Sequence, residues 1–162
     1  MKYGLKVYSR NPSSYTPIIE TNWAKNGPRS LTLGQDEESN RKQIARFSEK
    51  DAQMYKRYED QLGKVALAIE PLIDLSVVDV MEFFEANSAW KKLSLLVRKP
   101  NLAQAARSLS ALGKDIPALY ELLTAPANHI LNKWFESEPL KATLATDGVI
   151  GTMASPDTPG SG

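Results

Sequence analysis

Residues 30–59 read "SLTLGQDEESNRKQIARFSEKDAQMYKRYE", and the change of rhythm inside that stretch decides the fold class. Ser30 to Gly34 is a short run of alternating polar and apolar side chains, the period of a half-buried strand. Asp36 then offers an acceptor to a helix whose first turn holds Glu37 and Glu38, favourable beside the positive end of the helix dipole. Ile44 and Phe47, three apart, mark its apolar side. Ser48-x-x-Asp51 has the spacing of a capping box and opens a second helix, which carries Met54, Tyr55, Tyr58, Leu62, Val65, Ala66 and Ile69 on one stripe.

Upstream, the pattern is β. Leu5 to Ser9 alternates, Arg10 to Ser14 supplies turn chemistry, and Tyr15 to Glu20 is a second strand. With a turn at Asn26-Gly27-Pro28, the three strands predict an antiparallel meander, too small to close a sheet. Downstream, the pattern stays helical. Pro71 ends or kinks the second helix, Asp79 caps "VMEFFEANS", and "AWKKLSLLVRK" runs to Pro100. Asn101 opens "LAQAARSLSALG", closed by Gly113, and Asp115 starts "IPALYELLT". Pro126 opens "ANHILNKWF", and a last helix from Glu138 to Asp147 is broken by Gly148 and Gly151. The order predicts an α+β fold, mostly helical: a β meander over 1–34, a helical insertion over 35–147 and a loop over 148–162.

The chain has 162 residues, a net charge of +1 and no cysteine. The length suits one domain with a core, the charge is not the basic excess of a nucleic-acid binder, and disulfide and thiolate chemistry are excluded. A metal site would need carboxylates or another chain, because His129 is the single histidine. No apolar run approaches the roughly 20 residues that cross a bilayer. "MKYGLKVYSRNPSS" has no apolar core of a signal peptide, and its alternation is not that of a helical presequence.

Few side chains compose a site. His129 has no Ser/His/Asp partner set and reads as a structural or surface histidine. Glu136 and Glu138 are a carboxylate pair, but glutamates at a helix start are favourable for dipole reasons alone. Tyr55, Lys56, Arg57 and Tyr58 share their helix with Glu49, Asp51, Glu59 and Asp60, which makes a mixed-charge face rather than a nucleic-acid surface. Trp134 and Phe135 suit either a core or a cavity wall. The Pro-x-x-Pro of Pro156 and Pro159 is either a ligand for a proline-binding module or an internal turn. No G-x-G-x-x-G follows any strand, so no dinucleotide fingerprint is present.

Two stretches add a resemblance. The run from Ser30 to Glu59, with Phe47-Ser48-Glu49-Lys50-Asp51-Ala52 opening its second helix, resembles phytoene-desaturase-like FAD-dependent oxidoreductases of the amine-oxidase superfamily. "WFESEPLKATLATDGVIGTMASPDTPGSG", Trp134 to Gly162, and "RNPSSYTPIIE", Arg10 to Glu20, are similar to a member of that group. Residues 78–110 match least. The resemblance implies an internal slice of a larger flavoprotein, supplying walls of its substrate domain, with the FAD-gripping motifs elsewhere and no catalysis by the slice alone. It also implies a mitochondrial matrix location and an unidentified small-molecule substrate. Substrate-lining residues would then come from the large apolar side chains Phe83, Phe84, Trp90, Trp134 and Phe135, each equally good as core. The rival expectation is a stand-alone helical module that binds a protein partner through the same stripes.

Overall fold

Leu31 and Leu33 leave β2 (Ser30–Leu33) on one side and are buried, while Ser30 and Thr32 stay partly open. That alternation is what a strand with one covered face requires. β2 pairs antiparallel with β1 (Ser14–Pro17), Ser14 opposite Leu33 and Pro17 opposite Ser30. The computed structural model describes residues 4, 6–19, 27–150 and 153–162. Among them the sheet has two strands, not the expected three. Residues 6–10 join no ladder, and Val7 and Tyr8 are 68% and 84% exposed. An alternating segment with no apolar face to cover has nothing to fix its register. The parts of the expected strands and turns that fall on Leu5, Glu20, Asn26 and Gly151 lie outside the described residues.

The chain forms two compact units, residues 1–58 with 122–162, and residues 59–121. In the first, α1 (Glu37–Ala45) begins where Asp36 Oδ2 accepts from the Ser39 amide at 3.1 Å. The buried Asn40 amide then bonds both the Gly34 N–H and the Gly34 carbonyl, at 2.8 and 2.9 Å, and so fixes the strand-to-helix turn. Phe47 lies past the end of α1 and is partly buried. α2 (Glu49–Ile73) starts in this unit and runs on into the other. α7 (Ala127–Trp134) and α8 (Glu138–Val149) complete it. Its core joins Leu31, Leu33, Ile44, Ala52, Tyr55, Leu131, Phe135, Leu140 and Ala145. α8 passes through Gly148 instead of breaking there, because a glycine inside a helix costs only about 1 kcal/mol.

The second unit holds the rest of α2, then α3 (Val77–Glu85), α4 (Ala89–Arg98), α5 (Pro100–Leu112) and the start of α6 (Ile116–Thr124). Its buried apolar side chains include Val65, Ala68, Leu95, Leu102, Ala105, Leu112 and Leu119. Along α2 the buried apolar positions are Ala52, Tyr55, Val65 and Ala68, and Ala66, expected on that stripe, is exposed. Pro71 does not end α2, which continues to Ile73. Near a helix end a proline removes one hydrogen bond from a turn that is already fraying. Ser76, not Asp79, holds the N-cap position of α3, and the Asp79 carboxylate takes Lys99 Nζ at 2.6 Å instead. Ser88 caps α4, its Oγ accepting from the Lys91 amide at 3.2 Å. Pro100, not Asn101, is the first residue of α5, where a fixed φ and a missing N–H cost nothing. Gly113 ends it at φ 47°, a backbone that favours glycine, and Asp115 closes a 3-10 turn before α6.

Candidate functional site

The stretch Phe47–Ala52 and the stretch Trp134–Ser137, far apart in sequence, meet in the first unit. Asp51 joins them. Its carboxylate is fully buried, Oδ1 accepting from the Glu136 amide at 2.9 Å and Oδ2 from the Ser137 amide and hydroxyl at 2.8 and 2.5 Å. A buried charge is costly unless donors surround it, and these three, all charge-assisted, supply that surround. The capping box is therefore half made. Ser48 Oγ accepts from the Asp51 amide at 3.1 Å, but the Asp51 side chain turns to the segment before α8.

A second, exposed pair closes the same junction. Glu136 accepts from Lys50 Nζ at 2.9 Å and Ser48 Oγ at 2.8 Å, bonds that hold its carboxyl below the usual glutamate range. The same bond to Glu136 raises Lys50. Glu138, in the first turn of α8, pairs with Lys141 at 2.6 Å. Each glutamate thus has a cation of its own. Beside them, Tyr58 packs edge-on against Trp134 and Phe135, with centroids 5.8 and 5.1 Å apart, and Tyr55 lies 6.4 Å from Phe135. Burial, then the Asp147 charge, pushes the Tyr58 hydroxyl up to about 12.

The five expected substrate-lining residues fall in two sets. Trp134 is partly buried and Phe135 is 4% exposed in the core of the first unit. Phe83 and Phe84 meet edge-on at 6.0 Å in the second, with Lys92 Nζ 5.5 Å over the Phe83 ring. Phe84 and Trp90 are 74% and 81% exposed. The described grooves are lined by other side chains: Asn128, Asn132, Lys141 and Val149; Arg10, Tyr15, Thr143 and Asp147; Leu93, Val97, Ala103 and Arg107. His129 is exposed on α7. Among the described residues, no three or more His, Asp or Glu side chains group to hold a metal ion, and no helix is long and apolar enough to cross a membrane.

Residues 153–162 fold against the start of α7. Ser161 Oγ accepts from the Ala127 amide at 3.1 Å, and the Pro156 carbonyl from the Asn128 amide at 3.0 Å. Asn128 Nδ2 donates to Asp157 at 2.7 Å. The Pro-x-x-Pro segment is thus a turn capping a helix whose first amides need acceptors.

A flavin dinucleotide would need amides presented to its pyrophosphate. The strand-to-helix turn described here, Gly34-Gln35-Asp36, leads into Asp36, Glu37 and Glu38, and the Asp36 carboxylate already holds the Ser39 amide. Three carboxylates at that mouth repel a pyrophosphate, so this turn does not fit the group. What the geometry provides is a clasped, apolar scaffold.

The chain is 49% identical over 161 residues to pyridine nucleotide-disulfide oxidoreductase domain-containing protein 2 of Rattus norvegicus. It is 48% identical over 161 residues to the protein of the same name from Mus musculus. Each match covers 99% of this chain and 27% of the relative, so the chain spans about a quarter of the length of these curated relatives. No family model and no solved structure matches the chain.

Proposed function

We propose that this chain is a scaffold portion of an oxidoreductase, a wall of its substrate domain that performs no catalysis by itself. The observation that carries the reading is the near-complete match of the chain to a quarter of two relatives whose names contain "oxidoreductase". The Asp51 clasp supports it, because it locks together the two stretches that resemble phytoene-desaturase-like flavoproteins. The finer reading is an FAD-dependent enzyme of the desaturase or amine-oxidase type, acting in the mitochondrial matrix on an unidentified small molecule. FAD is then held by parts of a longer protein, because the acidic turn at Asp36 does not suit it. In that protein the β ribbon belongs to the substrate domain, the helices form an insertion, and Phe84 lines the substrate path.

The test compares the 162-residue chain with a protein of the relatives' full length, each purified and assayed for flavin released on denaturation. The chain alone is expected to be colourless and the long protein to carry stoichiometric flavin. Stoichiometric flavin on the short chain overturns the reading. In the long protein, Phe84→Ala should raise KM and leave the unfolding midpoint unchanged; unaltered kinetics remove it from the substrate path.

A second reading has one observation in its favour. α3 exposes Val77, Met81 and Phe84, spaced four and three apart along one face, which suits a protein partner without catalysis. A reading frame closed by stop codons on both sides of this chain would favour it. A frame that runs upstream into a strand and G-x-G-x-x-G would count against it.

A further inference from the structure

Residues 86–114 hold six of the chain's twenty Lys and Arg and none of its nineteen Asp and Glu. Within that stretch α4 is built in an unusual way. Leu95 faces inward and is buried, yet Trp90, Leu93 and Val97 are 81%, 52% and 78% exposed. At 3.6 residues per turn those three fall within about 60° of arc, nearly opposite Leu95. They form an outward apolar stripe, not the rim of the packed side. Lys91 and Arg98 are exposed on one flank of the helix, about 80–100° round from Trp90. Leu93 and Val97 also line an open groove with Pro100, Ala103 and Arg107 of α5, and Arg107 brings a further cation to its edge. The nearby acids Asp79 and Glu82 of α3 are engaged by Lys99, and among the described residues Lys91, Arg98 and Arg107 have no acidic partner.

We propose that the α4 face of the second unit, with its groove against α5, docks in the plane of an anionic lipid bilayer. Charge complementarity selects this occupant. An amphipathic helix with aliphatic side chains, a tryptophan suited to the headgroup level and cations without acids lies in a membrane interface. Each cation near an anionic leaflet adds to the attraction. The face lies on the surface without spanning it, and no described helix is able to cross. This inference stands independently of the redox reading.

The experiment floats the purified 162-residue chain with vesicles of phosphatidylcholine alone or of phosphatidylcholine with phosphatidylserine. Binding is expected to the anionic vesicles only and to fall with added salt. Lys91→Glu with Arg98→Glu should weaken it at least about tenfold. The same charge change at exposed Lys42 and Arg46 should not weaken it. Trp90→Phe should remove the blue shift in emission that vesicles induce. Equal binding to both vesicle types, binding to neither, or equal loss from both double variants overturns the proposal. So does self-association or capture of a protein that Trp90→Ala abolishes while vesicles bind nothing.

Discussion

Asp51 is stable as a buried carboxylate only while the Glu136 and Ser137 amides and the Ser137 hydroxyl point at it. An Asp51→Asn change keeps the shape but sets an NH2 group against donors. It should cost about 3 kcal/mol in urea unfolding, where Ser137→Ala should cost about 1 kcal/mol. The two changes share a partner and should be clearly non-additive; additive costs would break the clasp as a unit. Tyr58 gives a pH signature. Its ordinary value is 10.0 and the fold raises it to about 12, so the fold prefers the neutral phenol. The stability this gives is complete below pH 10 and is lost as pH rises toward 12. Tyrosinate absorbance should show a late-titrating phase, and Tyr58→Phe should remove it and flatten the alkaline loss of stability. At this scale the sequence was legible where the partner is local. Asp36 caps the amide three residues on, as its spacing predicts. Asp51 has a similar local spacing, but its donors lie 85 and 86 residues away, and no pattern of neighbours announces them.

Helices were the most readable elements, because their stripes and stops are written in adjacent turns. The helix starts at Glu37, Glu49 and Glu138 follow from caps and prolines alone. The strand expected from Leu5 to Ser9 joins no ladder over its described residues, 6–9, because alternation shows a candidate face, whereas a ladder also needs something to cover that face. Two glycines inside helices make opposite predictions. A Cβ at Gly63, in the middle of α2, would meet nothing within 4 Å, so Gly63→Ala should stabilise by about 0.5–1 kcal/mol. A Cβ at Gly148 would meet the Ser161 carbonyl oxygen at 2.5 Å. Gly148→Ala should therefore push residues 153–162 off α7 and speed exchange of the Ala127 and Asn128 amides. Unchanged exchange at both would show that the segment gives way at no cost.

The first unit is assembled from two ends of the chain, with residues 59–121 between them. Its core mixes Leu31, Ile44 and Tyr55 from one end with Leu131, Phe135 and Leu140 from the other. The amides of Ile44, Tyr55 and Leu131 should therefore lose protection together in native-state hydrogen exchange. A lower opening energy for Leu131 alone would show the two ends to be separate foldons. Sequence reading divided the chain by element type, strands first and helices after, and so did not see a unit that closes across an intervening one. A ribosome makes this chain in order, at about 5–20 residues per second. The β ribbon and α1 leave the exit tunnel with half their core still unmade. For those seconds Ile44 and Tyr55 have no Leu140 or Phe135 to meet, and the Asp51 carboxylate waits in water for its donors. Residues 131–145 thus act as the key to residues 31–55, and a nascent chain stalled before Trp134 should be a client for chaperones.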